Sequence, residues 1–324
     1  MILLLTFEKD GRLARSALEL AGAARELATA AAMPITAAVF GPAPAGAAAE
    51  LARYLPEVRA VAAEAFHPLR AEVAAGAAAE VARELGAKVV LAAATRSGLS
   101  FTPRLAVKLG AALLEDVISL EIVGGGLQAV RYSYLARVTE TVRSRGLPVV
   151  VSVKPNVLAP ARPAAAAGVV TTASYAPSSA QQRVRVGERA AARGGRVALE
   201  EAKIVVSGGR GLGDADGFRQ AVEPLAEAIG AGVGATRAVV DAGWRPYSEQ
   251  IGQTGKSVTP DIYIALGISG AVQHLSGMNR SKVVVAVNKD ADAPIFKVAD
   301  YGIVGDARQV APAIAAAVKE LLSS

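Results

Sequence analysis

Alternating strand-like and helix-like segments along all 324 residues predict an α/β protein of two domains, each a mainly parallel sheet flanked by helices. Apolar residues make up 52% of the chain and aromatics 4%, so the interior is expected to be Ala, Val, Leu and Ile packed helix on sheet. A chain of this length exceeds what one hydrophobic core usually serves.

Apolar "MILLLTF" is read as the first strand, since its short run lacks the basic start of a leader. After it come helix "RSALELAGAARELATAA", strand "ITAAVF", helix "AGAAAELARYL", strand "VRAVAAE", helix "LRAEVAAGAAAEVAREL" and strand "AKVVLAAAT". That order winds a parallel sheet. Its loops "TFEKDGRL" and "FGPAPAG" carry no dinucleotide glycine pattern, so this half is read as scaffold and subunit interface. The tract from Pro155 to Leu199, rich in Pro, Ala and Ser, reads as a linker or crossing, with the boundary placed between residues 195 and 196.

The second half reads as strand "AKIVVSGGRG", helix "DGFRQAVEPLAEAIG", strand "RAVVDAG", a polar loop containing "GQTGKS", strand "DIYIALGIS", helix "GAVQHLSGM", strands "KVVVAVNKD" and "YGIVGD", and helix "QVAPAIAAAVKELL". Ligands of open parallel sheets lie beyond the carboxyl ends of the strands. Four such ends carry suitable groups: Ser207 to Arg210, Gly267 to Ser269, Asn288 and Asp306.

Composition excludes several chemistries. There is no cysteine and there are two histidines, His67 and His274, which removes disulfides, thiolate zinc sites and iron–sulfur ligation. The net charge of +6 is dispersed, without a basic block or aromatic platforms, so nucleic acid is not an expected partner. No long uncharged apolar stretch suggests membrane insertion, and a cytoplasmic location is expected. "QIGQTGKSV" imitates a phosphate-loop tail, the basis of an alternative reading as a nucleotide-binding or nucleotide-hydrolysing protein. Its first glycine is missing, because Gln250 stands there, and Pro260 interrupts any helix that would follow Lys256.

The stretches "VVSGGRGL", "GATRAVVDAGW" and "IGQTGKSVTPDIYIALGISGAVQHLSGMNRSKVVVAVNKDADAPIFKVADYGIVGD" resemble the alpha subunit of electron transfer flavoprotein. The resemblance covers roughly Glu200 to Asp306 in unbroken order; the first half is similar only in length and strand–helix pattern. It implies a Rossmann-like carboxyl-terminal domain that binds FAD and a heterodimer with a beta subunit. It implies an electron carrier rather than a turnover enzyme, taking electrons from flavin dehydrogenases such as the acyl-CoA dehydrogenases of fatty acid beta-oxidation to a membrane quinone oxidoreductase. By position it assigns flavin contacts to Arg210, to Thr236 with Arg237, to the loop Ile251, Gly252, Gln253 and Thr254, and to the turn and helix Ser269, Gly270, Ala271, Val272, Gln273 and His274. Asn288 and Asp306 with Ala307 complete the set; no metal ligand and no catalytic residue is implied. Thr236 stands where serine is common, which keeps the hydroxyl.

These residue types suit a flavin dinucleotide. Glycines in "SGGRG" let backbone N–H groups approach an anion while Arg210 offers a fork for phosphate, although the same string also makes a plain tight turn. "ISGAVQHL" opens a helix whose amino end favours negative charge. Thr254 offers a hydroxyl to flavin N5, His274 a ring N–H to O2, and Arg237 a positive charge beside the ring. Lys256 is read as a loop or surface charge and His67 as a surface residue. Trp244 either covers the flavin or packs the loop.

Overall fold

The computed structural model describes residues 1–134, 138–187, 199 and 202–323. They fall into two compact units, Met1–Arg189 and Ala190–Ser324. The expected boundary at 195 and 196 lies outside the described residues.

The first unit is built on a nine-stranded sheet of order β7-β6-β5-β8-β4-β1-β2-β3-β9. Strands β1 (Ile2–Phe7), β2 (Ile35–Gly41), β3 (Glu57–Ala62) and β4 (Val89–Ala93) alternate with helices α1 (Arg15–Ala31), α2 (Ala45–Leu51) and α3 (Ala71–Glu84), as the apolar patterning predicts. Side chains on a strand point alternately to the two faces. Ile2 and Leu4 accordingly join a core with α1 and α2, while Leu3 and Leu5 join a second core with α3 and with α4 (Arg96–Leu109). Thr95 caps α4 by accepting from the Gly98 N–H at 3.1 Å, and Gly110 ends it in the left-handed conformation.

Two elements depart from the sequence reading. Strands β5 (Ala112–Val123), β6 (Gly126–Ser133) and β7 (Val138–Arg143) extend the sheet as an antiparallel meander, a pattern the first-half reading did not contain. Its alternation is imperfect because the meander carries few fully buried positions. The supposed linker also contains a strand, β9 (Val169–Ser174), which pairs in parallel with β3; its "VVTTAS" is β-branched but exposed at an edge, so composition concealed it. Between β8 (Val149–Val153) and β9 the Pro/Ala tract lies along α1, where the Ala161 N–H donates to the Leu18 carbonyl at 2.8 Å.

The chain order reverses between β1 and β4, the place where open sheets of this kind admit ligands. Here that place is filled. The ring of Phe7 lies 5.1 Å from Phe40, 6.0 Å from Phe66 and 5.4 Å from Phe101, and Phe66 stacks on Tyr175. Glu8 closes the loops beside it by accepting from the Gly11 and Ala43 N–H groups.

The second unit has a five-stranded, wholly parallel sheet of order β11-β10-β12-β13-β14. Its strands are β10 (Ile204–Gly208), β11 (Gly232–Ala235), β12 (Ile262–Leu266), β13 (Val283–Asn288) and β14 (Tyr301–Val304). Val206 faces a core with α5 (Ala215–Ala228) and α8 (Ala307–Ser323), and Val205 faces a second with Tyr263, Met278 and Ile295. The stretch "RAVVDAG" is not a strand. Arg237–Asp241 forms helix α6, and the strand is the preceding "GVGA", whose glycines lack a strand signature but pair with β10. Trp244 packs against the α5 core.

Glu19 on α1 is 2% exposed, and its carboxylate accepts from the Asn156 N–H at 2.7 Å. Burial raises its pKa above the ordinary carboxylate value, against the opposing effects of that hydrogen bond and of Arg15. A raised folded pKa means that this contribution to stability is present below the unfolded value and is lost as pH rises through the folded one. Glu19→Gln keeps an acceptor for Asn156 without the charge. Thermal melts are expected to place the variant a few degrees above the parent at pH 8, with the gain gone at pH 4.

Candidate functional site

At the carboxyl ends of β10, β11 and β12 lies a cavity of about 500 Å³. Its first wall is the loop after β10, Gly209 to Gly211, which crosses the loop after β12 in direct backbone contact: the Gly211 N–H donates to the Gly267 carbonyl at 3.0 Å. A Cβ on Gly209 would stand 2.3 Å from the Gly267 oxygen, so only glycine permits this crossing. Arg210 projects from it, exposed, and its guanidinium makes no hydrogen bond or ion pair among the described residues.

The second wall is the start of α6. Thr236 precedes the helix in extended conformation without capping it through its side chain, which leaves the hydroxyl for the cavity. Arg237 is exposed and paired with Asp241 at 3.3 Å, and both line the cavity. The positive charge expected from Arg237 therefore comes with a carboxylate one turn away. That pair is solvent-exposed and weak.

The third wall is the "QIGQTGKS" loop, which closes on itself. Ile251 and Lys256 form a parallel bridge, the Gly252 N–H donates to the Lys256 carbonyl at 3.1 Å, and the Lys256 N–H to the Gln250 carbonyl at 2.7 Å. Gly252 has φ +138°, where a Cβ would lie 2.7 Å from the Gln273 oxygen. No helix follows Lys256, so the arrangement lacks the helix amino terminus on which a phosphate loop depends, and the nucleotide-hydrolysis reading loses its site. No cluster of acidic or imidazole groups able to hold a metal occurs among the described residues.

His274 joins the third wall to the sheet. It is 6% exposed, its Nδ1 lies 3.1 Å from the Ile251 carbonyl oxygen and its Nε2 2.8 Å from the Tyr263 hydroxyl. A carbonyl only accepts, so Nδ1 carries the proton and Nε2 accepts from the phenol. Both ring nitrogens thus have protein partners in this arrangement, while the ring itself lines the cavity. Burial lowers the His274 pKa to about 4, only partly offset by the Ile251 hydrogen bond, and the ring is neutral. Burial raises the Tyr263 phenol as well, so its proton stays in place. Helix α7 (Val272–Leu275) is a single turn, so the dipole expected of "ISGAVQHL" reduces to local N–H groups.

The structure thus brings Arg210, Thr236, Arg237, Ile251, Gly252, Gln253, Thr254, Ser269, Ala271, Gln273 and His274 around one cavity. Gly270 and Val272 belong to the same turn without lining it; Gly270 instead backs onto Ile295. Asn288, Asp306 and Ala307 lie at neighbouring strand ends. The Asn288 amide donates to the Ile268 carbonyl at 2.8 Å, Asp306 accepts from the Arg308 N–H and pairs with Lys289 at 3.0 Å, and Ala307 is in the α8 core. Asp241 and Gln250 also face the cavity; the sequence conceals Asp241 in a segment with strand-like valines, and Gln250 carries no signal beyond standing where a phosphate loop needs glycine.

For a histidine titrating near 6.5 when unfolded and about 4 when folded, the unfolded chain holds the extra proton between those values, so stability falls as pH drops through that window. The full difference amounts to about 3 kcal/mol. Melts of the flavin-free protein between pH 7.5 and 4 are expected to show this loss, and His274→Gln, which takes up no proton, to flatten it.

Residues 2–178 match the electron transfer flavoprotein domain and residues 198–279 the electron transfer flavoprotein FAD-binding domain. The chain is 38% identical over 321 residues to the electron transfer flavoprotein subunit alpha of Thermoanaerobacterium thermosaccharolyticum, which covers 97% of this chain and 96% of that one. It is 42% identical over 228 residues to the corresponding subunit of Bacillus subtilis, 70% of this chain and 69% of that one. The subunit from Mycobacterium leprae is 44% identical over 242 residues, 74% of each chain. The glycine crossing, the free Arg210 and the cavity at the strand ends fit the FAD named by the second domain. The chain belongs to the electron transfer flavoprotein alpha-subunit family, whose members bind FAD and carry electrons rather than turn over a substrate.

Proposed function

We propose that this chain pairs with an electron transfer flavoprotein beta subunit, holds one FAD across the cavity of its second unit, and carries electrons in the cytoplasm from flavin dehydrogenases, such as acyl-CoA dehydrogenases, to a membrane quinone oxidoreductase. The observation that carries the reading is the cavity at the β10 and β12 strand ends, with a glycine crossing on one side and an unpaired guanidinium beside it. No described helix is long and apolar enough to cross a membrane, in keeping with a carrier that meets its acceptor at a surface.

FAD, when bound, supplies the redox centre. The protein's part is to hold and orient it. Arg210 offers two parallel N–H donors to the pyrophosphate, and Thr236 and Thr254 offer hydroxyls within the cavity. The residues lining this cavity of about 500 Å³ would hold part of the dinucleotide, and Asn288, Asp306 and Ala307, at the neighbouring ends of β13 and β14, would contact the remainder. Neutral His274 holds the Ile251 carbonyl, and with it the closed loop, through its Nδ1–H. The first unit, with Phe7, Phe40, Phe66 and Phe101 filling its switch point, serves as the platform for the beta subunit.

Flavin released from the complex made with its beta subunit is expected to amount to one FAD per alpha chain. A colourless complex that takes up no added FAD overturns the reading. Arg210→Ala is expected to cost about 1.5–3 kcal/mol, a roughly ten- to hundredfold weaker dissociation constant by titration with FAD.

A further inference from the structure

Gln250, the residue that spoils the phosphate-loop pattern, is 3% exposed and lines the cavity. Its backbone is fixed on both sides: the N–H donates to the Tyr247 carbonyl at 3.0 Å and the carbonyl accepts from the Lys256 N–H at 2.7 Å. Its side-chain Nε2 donates to Thr254 Oγ1 at 3.0 Å. The Tyr247 hydroxyl donates to the Thr254 carbonyl, so Thr254 is held at both its backbone and its side chain.

A threonine hydroxyl has one proton to give and two lone pairs to receive. With one lone pair taken by the Gln250 amide, the proton cannot point back at Gln250 and turns to the open side, which is the cavity. We propose that Gln250 is a positioning residue that sets the direction of the Thr254 hydroxyl, making it a preoriented donor to an acceptor atom of the flavin ring. The inference rests on FAD occupying this cavity. An oriented donor works against developing negative charge without reorganising when the electron arrives, which is the condition under which such a hydrogen bond is strongest. Free rotation would spend part of that advantage, and a partner that accepts instead of donating would reverse it.

The test is a double-mutant comparison in the complex with the beta subunit, loaded with FAD. Gln250→Met removes the amide donor without adding charge, and Gln250→Glu replaces it with an acceptor that draws the Thr254 proton inward. Each is made with Thr254 intact and with Thr254→Val. The visible spectrum and the potential for the first electron are recorded for every combination. With Thr254 present, both Gln250 variants and Thr254→Val alone are expected to lower the one-electron equilibrium constant by about tenfold, 59 mV for a one-electron couple. In the Thr254→Val chain, Gln250→Met is not expected to move it further, and Gln250→Glu only by the smaller amount due to its added charge. Equal shifts with and without Thr254 would mean that Gln250 acts through packing or its own field, and would overturn the inference, as would an unmoved potential in Gln250→Met and Gln250→Glu. The two Gln250 variants differ in charge, so the comparison stays readable if one of them loads poorly. Failure of the parent complex to bind FAD would sink the proposed function instead, and is seen before any variant is made.

Discussion

The cavity owes its shape to one buried imidazole. His274 donates through Nδ1 to the Ile251 carbonyl of the closed loop and accepts through Nε2 from Tyr263 in the middle of β12, so a loop more than twenty residues upstream is tied to the sheet by a single ring. Around it, backbone bonds do the rest: the Gln253 N–H donates to the Gln273 carbonyl at 2.8 Å and the Val258 N–H to the Gly277 carbonyl at 2.7 Å. The neutral ring is favoured throughout, since burial penalises the charged form. Deep burial is therefore what holds the ring neutral while it ties the loop to the sheet.

The charge pattern of the site follows from what is left unpaired. Arg210 has no partner of its own among the described residues, whereas Arg237 shares its charge with Asp241 and Asp306 is held by Lys289 and the Arg308 N–H. Of the two arginines that line the cavity, the unpaired guanidinium is thus the one at the glycine crossing. Arg245 illustrates the other use of a cation in this unit. It takes Glu249 in a two-pronged grip, reaches Glu223 at 2.7 Å and lies over the Phe218 ring, pinning the segment that leads into Gln250 onto α5.

Much of this was legible in the residues. The unbroken apolar run in "MILLLTF" and helical patterning in "RSALELAGAARELATAA" are enough to place β1 and α1, because a strand covered on both faces is apolar throughout and α1 buries one face. Eleven of the sixteen residues assigned to the flavin share one cavity. The errors arose where long-range pairing overrides local preference. "GVGA" is a strand only because β10 offers it a ladder, and "RAVVDAG" is helical despite its two valines because the chain must turn off that ladder at Thr236. Nor does any local signal report that the nitrogens of His274 are spent on Tyr263 and Ile251, partners 11 and 23 positions away.

The alanine that fills the first unit has a thermal consequence. Helix α3 buries six alanines, Ala74, Ala75, Ala77, Ala78, Ala79 and Ala82, beside only two valines, so it meets the sheet through methyl groups. Ordering alanine costs no side-chain rotamer freedom, and each methyl withdraws little apolar surface from water. Since the heat-capacity change on melting scales with that surface, α3 contributes less to the curvature of stability with temperature than a helix of large buried side chains would.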